Sequence, residues 1–116
     1  MNFVHTVVET PAYLAAAADA GMTDDEMKAA VDLIAGNPSA GDIMQGAGGC
    51  RKVRVAGKGR GKSGGYRVIT YYATAEVPVF LLTVFSKGDR ASLTKGERNA
   101  LGVLSKRLTD SLRGRG

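Results

Sequence analysis

Tyr66-Arg67-Val68-Ile69-Thr70-Tyr71-Tyr72-Ala73, then Thr74-Ala75-Glu76, then Val77-Pro78-Val79-Phe80-Leu81-Leu82-Thr83-Val84-Phe85, is the stretch on which the fold turns. Its first part is rich in β-branched and aromatic residues and reads as a strand. Alternation puts Arg67, Ile69 and Tyr71 on one side and Tyr66, Val68, Thr70 and Tyr72 on the other. Its last part is apolar on both faces, which predicts the central, best-buried strand. Three residues between the two allow only a tight reversal, so the strands are predicted to be antiparallel neighbours.

Upstream, Cys50–Ala56 shows the same period: Val53 and Val55 alternate with Lys52 and Arg54, one apolar face against one basic face. The glycine- and lysine-rich run 57–65 can close a hairpin between this strand and Tyr66. Further back, Phe3 to Val8 reads as a short strand. Thr10-Pro11 supplies an N-cap and a proline for the first helical position, and an alanine-rich helix follows to about Ala18, ended by Gly21. Thr23-Asp24-Asp25-Glu26 fits a capping box, and Met27, Ala30, Val31 and Ile34 line one face of the helix it opens, up to Asn37-Pro38. Downstream, Thr94-Lys95-Gly96-Glu97 is a second capping box, followed by a stripe of Leu101, Leu104, Leu108 and Leu112. Arg113 and Arg115 suit the C-terminal dipole of that helix. The predicted order is β-α-α-β-β-β-α: an α+β fold with a small antiparallel sheet, an N-terminal helical hairpin and a C-terminal helix, the helices on one face.

The chain has 116 residues, which suits one domain over 1–116 and can bury a core without staples. One Cys and one His cannot supply a disulfide or a structural zinc site, so no metal or other cofactor is expected. A lone cysteine fits a reducing cytoplasm. The apolar run at 77–85 is well short of the ~20 residues a membrane span needs, and the N-terminus lacks the pattern of a signal peptide, so no membrane partner is expected. Charge is strongly segregated. Up to Asp42 there are seven acids and one base; beyond it there are fifteen bases and four acids. Between Asp42 and Glu76 lie Arg51, Lys52, Arg54, Lys58, Arg60, Lys62 and Arg67 with no acid among them. Such a block attracts polyanions, nucleic acid above all; on strands it makes a fixed surface.

Ala56-Gly57-Lys58-Gly59-Arg60-Gly61-Lys62-Ser63 resembles a phosphate-binding loop, but that motif must feed a helix whose N-terminal amides hold the phosphate, and here a strand follows at Tyr66. A mobile hairpin loop fits better, and a mobile basic loop touching RNA fits as well. His5 reads as structural. Cys50 reads as a small buried residue, since the only His is distant. Tyr66, Tyr71 and Tyr72 share one strand; at least one belongs to the core, and a tyrosine on the basic side could stack on a base of single-stranded RNA.

Gly48-Gly49-Cys50-Arg51-Lys52-Val53-Arg54-Val55-Ala56, then Gly65-Tyr66-Arg67-Val68-Ile69 with Tyr71-Tyr72, then Leu81-Leu82-Thr83-Val84-Phe85-Ser86-Lys87, resembles the RelE/HigB family of toxins from bacterial type II toxin–antitoxin pairs, most of all the HigB branch. The likeness runs over nearly the whole chain. It implies a small antiparallel sheet flanked by helices and an endoribonuclease that cuts messenger RNA in the ribosomal A site. It also implies a cognate antitoxin with a helix-turn-helix domain, through which alone the complex meets operator DNA. Lys52 and Arg54 match the paired basic positions of the first middle strand, Arg67 the arginine of the Gly-Tyr-Arg strand, and Lys87 the lysine after the last strand. These four are the expected catalytic set. Arg51, Lys58, Arg60, Lys62, Tyr66 and Arg90 are expected to contact RNA. Two positions depart from the pattern. The residue after the lysine, often arginine in relatives, is Gly88, and a tyrosine near the start of the last helix in some members aligns near Thr94. This leaves the acid–base assignment open, with Lys87 and Arg90 as candidates.

The chemistry is compatible. Metal-free RNA cleavage moves the 2′-hydroxyl onto the adjacent phosphate and needs a proton acceptor, cations for the developing charge and a proton donor for the 5′-oxygen. A lysine held among cations becomes a better base, which gives Lys52 a base or electrostatic role. Arginine grips phosphate oxygens through two donors, the role of Arg54 and Arg67; Lys87 serves as phosphate contact or acid. Two other functions fit the same residues: a non-catalytic nucleic-acid-binding module, and a ParE-like toxin directed at gyrase. Whether Lys52, Arg54 and Arg67 share a face depends on strand register.

Overall fold

The computed structural model describes residues 5–57, 65–88, 90 and 92–113, apart from the Arg113 side chain. Phe3, Val4, Lys58, Arg60, Lys62 and Arg115, to which expectations were attached above, lie outside the described residues.

The chain runs β1 (Val7–Glu9), α1 (Pro11–Ala20), α2 (Asp24–Gly36), β2 (Asp42–Ile43), β3 (Arg51–Val55), β4 (Tyr66–Tyr71), β5 (Val79–Ser86) and α3 (Lys95–Arg113). The predicted order holds with one strand more, β2. The helix boundaries follow from local chemistry. Thr10 caps α1 by accepting from the Tyr13 N–H at 3.2 Å, and Gly21 ends it in the left-handed region at φ 78°. At α2 the Thr23 hydroxyl accepts from the Glu26 N–H at 3.1 Å while the Glu26 carboxylate accepts from the Thr23 N–H at 2.9 Å. Thr94 and Glu97 repeat this reciprocal pair at α3, at 3.1 and 2.8 Å.

The sheet order is β1-β5-β4-β3-β2. The β3–β4 and β4–β5 pairs are antiparallel, as expected, and so is β2–β3, but β1 lies parallel to β5, with Val7 beside Val79 and Glu9 beside Leu81. The sheet is therefore mixed. Thr10 sets this edge: its N–H donates to Leu81 O at 3.3 Å and its hydroxyl to the same oxygen at 2.7 Å. The middle of the sheet belongs to β4, not to β5, and five of its six residues are buried.

Helices cover both faces, not one. On the first face, Tyr13 and Ala17 of α1 and Ala30 and Ile34 of α2 pack on Val53, Val55, Tyr66, Val68, Val79, Leu81 and Val84. On the second, Leu101 and Leu108 of α3, with Leu93 before it, pack on Cys50, Ile69, Leu82 and Phe85. A bulge helps to split the strand between the two cores. The register steps from Ile69 opposite Thr83 to Thr70 opposite Leu81, so Leu82 is the extra residue, and it joins the α3 side. The glycine-rich connection before β3 lets α3 come close. At Gly48, φ 65°, a Cβ would run into Ser105 Oγ and Gly102 Cα, and the Ser105 hydroxyl donates to Gly48 O at 3.2 Å.

Candidate functional site

Register decides what the sheet presents. Residues directly opposite in an antiparallel pair put their side chains on the same face, and so do residues two apart on one strand. Lys52 stands opposite Asp42 and Ile69; Arg54 stands opposite Arg67, which stands opposite Phe85. Asp42, Lys52, Arg54 and Arg67 therefore share the face that carries Ile69 and Phe85, the α3 face. Ile69 and Phe85 are beneath the helix and its approach. The charged residues lie at the open end, towards the β3 edge. β2 reaches only Arg51 and Lys52, so beyond it a groove of about 500 Å³ opens, lined by Asp42, Lys52, Arg54 and Arg67 with Leu33, Ala40, Gly41 and Val53.

The groove carries three cations and one acid. Arg54 is exposed, Lys52 half-buried, and Arg67 only 7 % exposed, its Nη1 donating to Tyr66 O at 3.3 Å. Like charges directly opposite on one face disfavour the strand pairing, and Arg54 and Arg67 are such a pair. Among the described residues, the side chains of Lys52 and Arg54 make no hydrogen bond or ion pair. Lys87 is exposed just past β5, and its N–H donates to Gly65 O at 3.0 Å, which fixes it beside the start of β4.

Three of the expected RNA contacts are placed differently. Arg51 lies opposite Thr70, on the other face from Lys52, and its Nη1 donates to Ser39 O at 3.2 Å; it tethers the segment after α2. Tyr66 is fully buried in the first core, and its hydroxyl donates to Glu26 Oε1 at 3.0 Å. Burial lifts that hydroxyl to a pKa of about 12, with Glu26 beside it adding to the shift. Its ring belongs to the core and has no face open to a base. Arg90 lies over the Phe85 ring, 5.4 Å from its centre, and is held by both carboxylate oxygens of Glu97 and by Ser92 O. The Arg90 bonds, then the Thr94 backbone N–H, pull the Glu97 carboxyl down to about 2. Arg90 thus spends its charge on the capping residue of α3.

Sequence reading missed Asp42 as a groove residue. Its strand is two residues long and follows Gly41, so period alone could not show it; the only signal was its place as the last acid before the basic block. Cys50 is buried beside Ser105, and burial raises its thiol to about 11, against the partial offset of the Ser105 hydrogen bond. His5 bonds Val77 O through Nε2 at 2.7 Å and packs edge-on to Tyr72. Among the described residues no three His, Cys, Asp or Glu side chains cluster as metal ligands, and no helix is long and apolar enough to cross a membrane.

A family model described as the RelE toxin of the RelE/RelB toxin–antitoxin system matches residues 7–113, from β1 to the last residue of α3. The match takes in every strand that builds the groove. The chain belongs to the RelE toxin family.

Proposed function

We propose that this chain is an endoribonuclease of a toxin–antitoxin pair, cutting messenger RNA on the ribosome in the cytoplasm without a metal. The observation that carries the reading is the register that sets Arg54 against Arg67, with Lys52 two residues along, in one open groove. Three cations around one phosphate can hold it and stabilise the charge of the five-coordinate transition state. Arg54 and Arg67 grip the phosphate oxygens, Lys52 adds electrostatic stabilisation, and Lys87 contacts the phosphate or protonates the leaving 5′-oxygen. Lys58, Arg60 and Lys62, which fall between β3 and β4 in sequence, add positive charge for the RNA backbone. A cognate antitoxin with a helix-turn-helix domain silences the toxin and carries the complex to operator DNA.

The test is controlled expression in bacteria of the wild type beside Arg54→Ala, with primer extension on a reporter messenger. Arg54 is the right residue to change because it is exposed, whereas Arg67 is buried and its loss would disturb the fold. The expected result is growth arrest with discrete new 5′ ends for the wild type, and neither for the variant. Arrest without cuts would favour a gyrase-directed toxin; intact RNA and normal growth from a soluble protein would favour plain nucleic-acid binding.

A further inference from the structure

Within the ribonuclease reading, on which this step rests, the cations given roles so far include no ready proton acceptor. Lysine ammonium and arginine guanidinium groups have donors and no lone pair to offer. A carboxylate accepts at neutral pH without any prior loss of a proton. Asp42 is the one carboxylate among the described residues that line the groove. It stands directly opposite Lys52, on the same face as Arg54 and Arg67, and is exposed. Among the described residues its side chain makes no hydrogen bond or ion pair.

Its position is fixed by the backbone. Gly41 sits at φ 91°, and a Cβ there would lie 2.5 Å from Lys52 O. Only glycine lets β2 approach β3 this closely. On the other side, the Met44 N–H donates to Cys50 O at 2.9 Å and closes the short ladder. A two-residue strand pinned at both ends presents one acid to a cluster of bases.

We infer that Asp42 is the general base of the cleavage. The 2′-O–H bond breaks and its proton passes to an Asp42 carboxylate oxygen. The 2′-oxygen forms a bond to phosphorus while the bond from phosphorus to the 5′-oxygen breaks. The departing 5′-oxygen takes that electron pair and a proton from the Lys87 ammonium. The products are a 2′,3′-cyclic phosphate and a free 5′-hydroxyl; water then takes the proton from Asp42 and gives one to Lys87.

The experiment is single-turnover cleavage of a messenger bound to purified bacterial ribosomes, by the full chain and its Asp42→Asn and Asp42→Ala forms, with RNA binding measured in parallel. Asp42→Asn should cut ~10²- to 10⁴-fold more slowly, the usual range for a positioned base, while binding stays equal or tightens because a negative charge has left the groove. Formate should restore cutting to Asp42→Ala and do nothing for Arg54→Ala. A cutting wild type with an Asp42→Asn form that cuts as fast, or faster, overturns this assignment alone; it would mean the carboxylate only tempers the field. A wild type that leaves RNA intact, on ribosomes and in growing cells, overturns the ribonuclease reading and this step together. Thermal unfolding of Asp42→Asn should match the wild type, since the residue is exposed and the replacement has the same shape.

Discussion

Arg54 and Arg67 stand directly opposite each other across β3 and β4, two cations in register on the same face. Sheets normally avoid this. Like charges opposed this way disfavour the strand pairing and concentrate positive charge in one place, and both effects are measurable.

Arg54→Ala should raise resistance to urea by up to about 1 kcal/mol, because the cross-strand repulsion goes. The same change should weaken RNA binding and reduce its salt dependence by about 0.7 in log–log slope, the share of one phosphate contact on a single strand. Urea unfolding and a salt series of binding measurements check the two halves. A variant that loses stability instead would mean that Arg54 packs more than it repels.

Tyr66→Phe should cost about 1–2 kcal/mol of stability and leave cleavage unchanged. Its hydroxyl donates to buried Glu26, the residue that also caps α2 at Thr23. The side chain is on the face away from the groove. Loss of cutting with an intact fold would restore tyrosine to the RNA surface.

Stability should fall steeply in alkali. Cys50 is raised from 9.0 to about 11, and Tyr13 and Tyr66 from 10.0 to about 12, in each case first by burial. The folded state therefore keeps protons that the unfolded chain releases. This contribution is whole below pH 9.0 and drains away as pH rises from 9.0 to about 12. Glu97 works in the opposite sense. Its carboxyl is lowered from 4.5 to about 2, so its contribution is whole above pH 4.5 and is lost as pH falls towards 2. Urea midpoints across pH should show both limbs, and Glu97→Gln should remove the acid one.

Gly48→Ala should cost more than about 1 kcal/mol, because the residue is at positive φ and the new methyl meets Ser105 and Gly102 of α3. Loss of protection from hydrogen exchange should centre on α3. If α3 stays protected, the loop and not the helix absorbs the change.

Much of the fold was legible because it was local. Thr23 with Glu26 and Thr94 with Glu97 announced two helix starts, and the short turn at 74–76 announced the β4–β5 hairpin. What was not legible depends on contacts distant in sequence. The parallel pairing of Val7–Glu9 rests on Thr10 meeting Leu81, and the two-residue β2 exists only because Gly41 lets it lie against Lys52. The site was half-visible. Alternation already put Tyr66 opposite in sense to Arg67, so its burial on the other face could have been read. Arg51 likewise alternates with Lys52. The ion pair of Arg90 with Glu97 could not be foreseen, since the intervening loop carries no period.

The pairing of β1 with β5 has a consequence for how the molecule comes into being. Among the described strands, the earliest in sequence, β1, pairs with the last, β5. Until Val79–Leu81 is in place, Val7–Glu9 lacks the strand it pairs with and α1 lacks the strand it covers. The β3–β4 hairpin that bears Arg54 and Arg67 can close earlier, but without β5 it has no Phe85 behind it and no floor for α3. The face that carries Arg54 and Arg67 is therefore backed only after β5 and α3 have followed it, which makes the ordering of this surface a late, long-range event in folding.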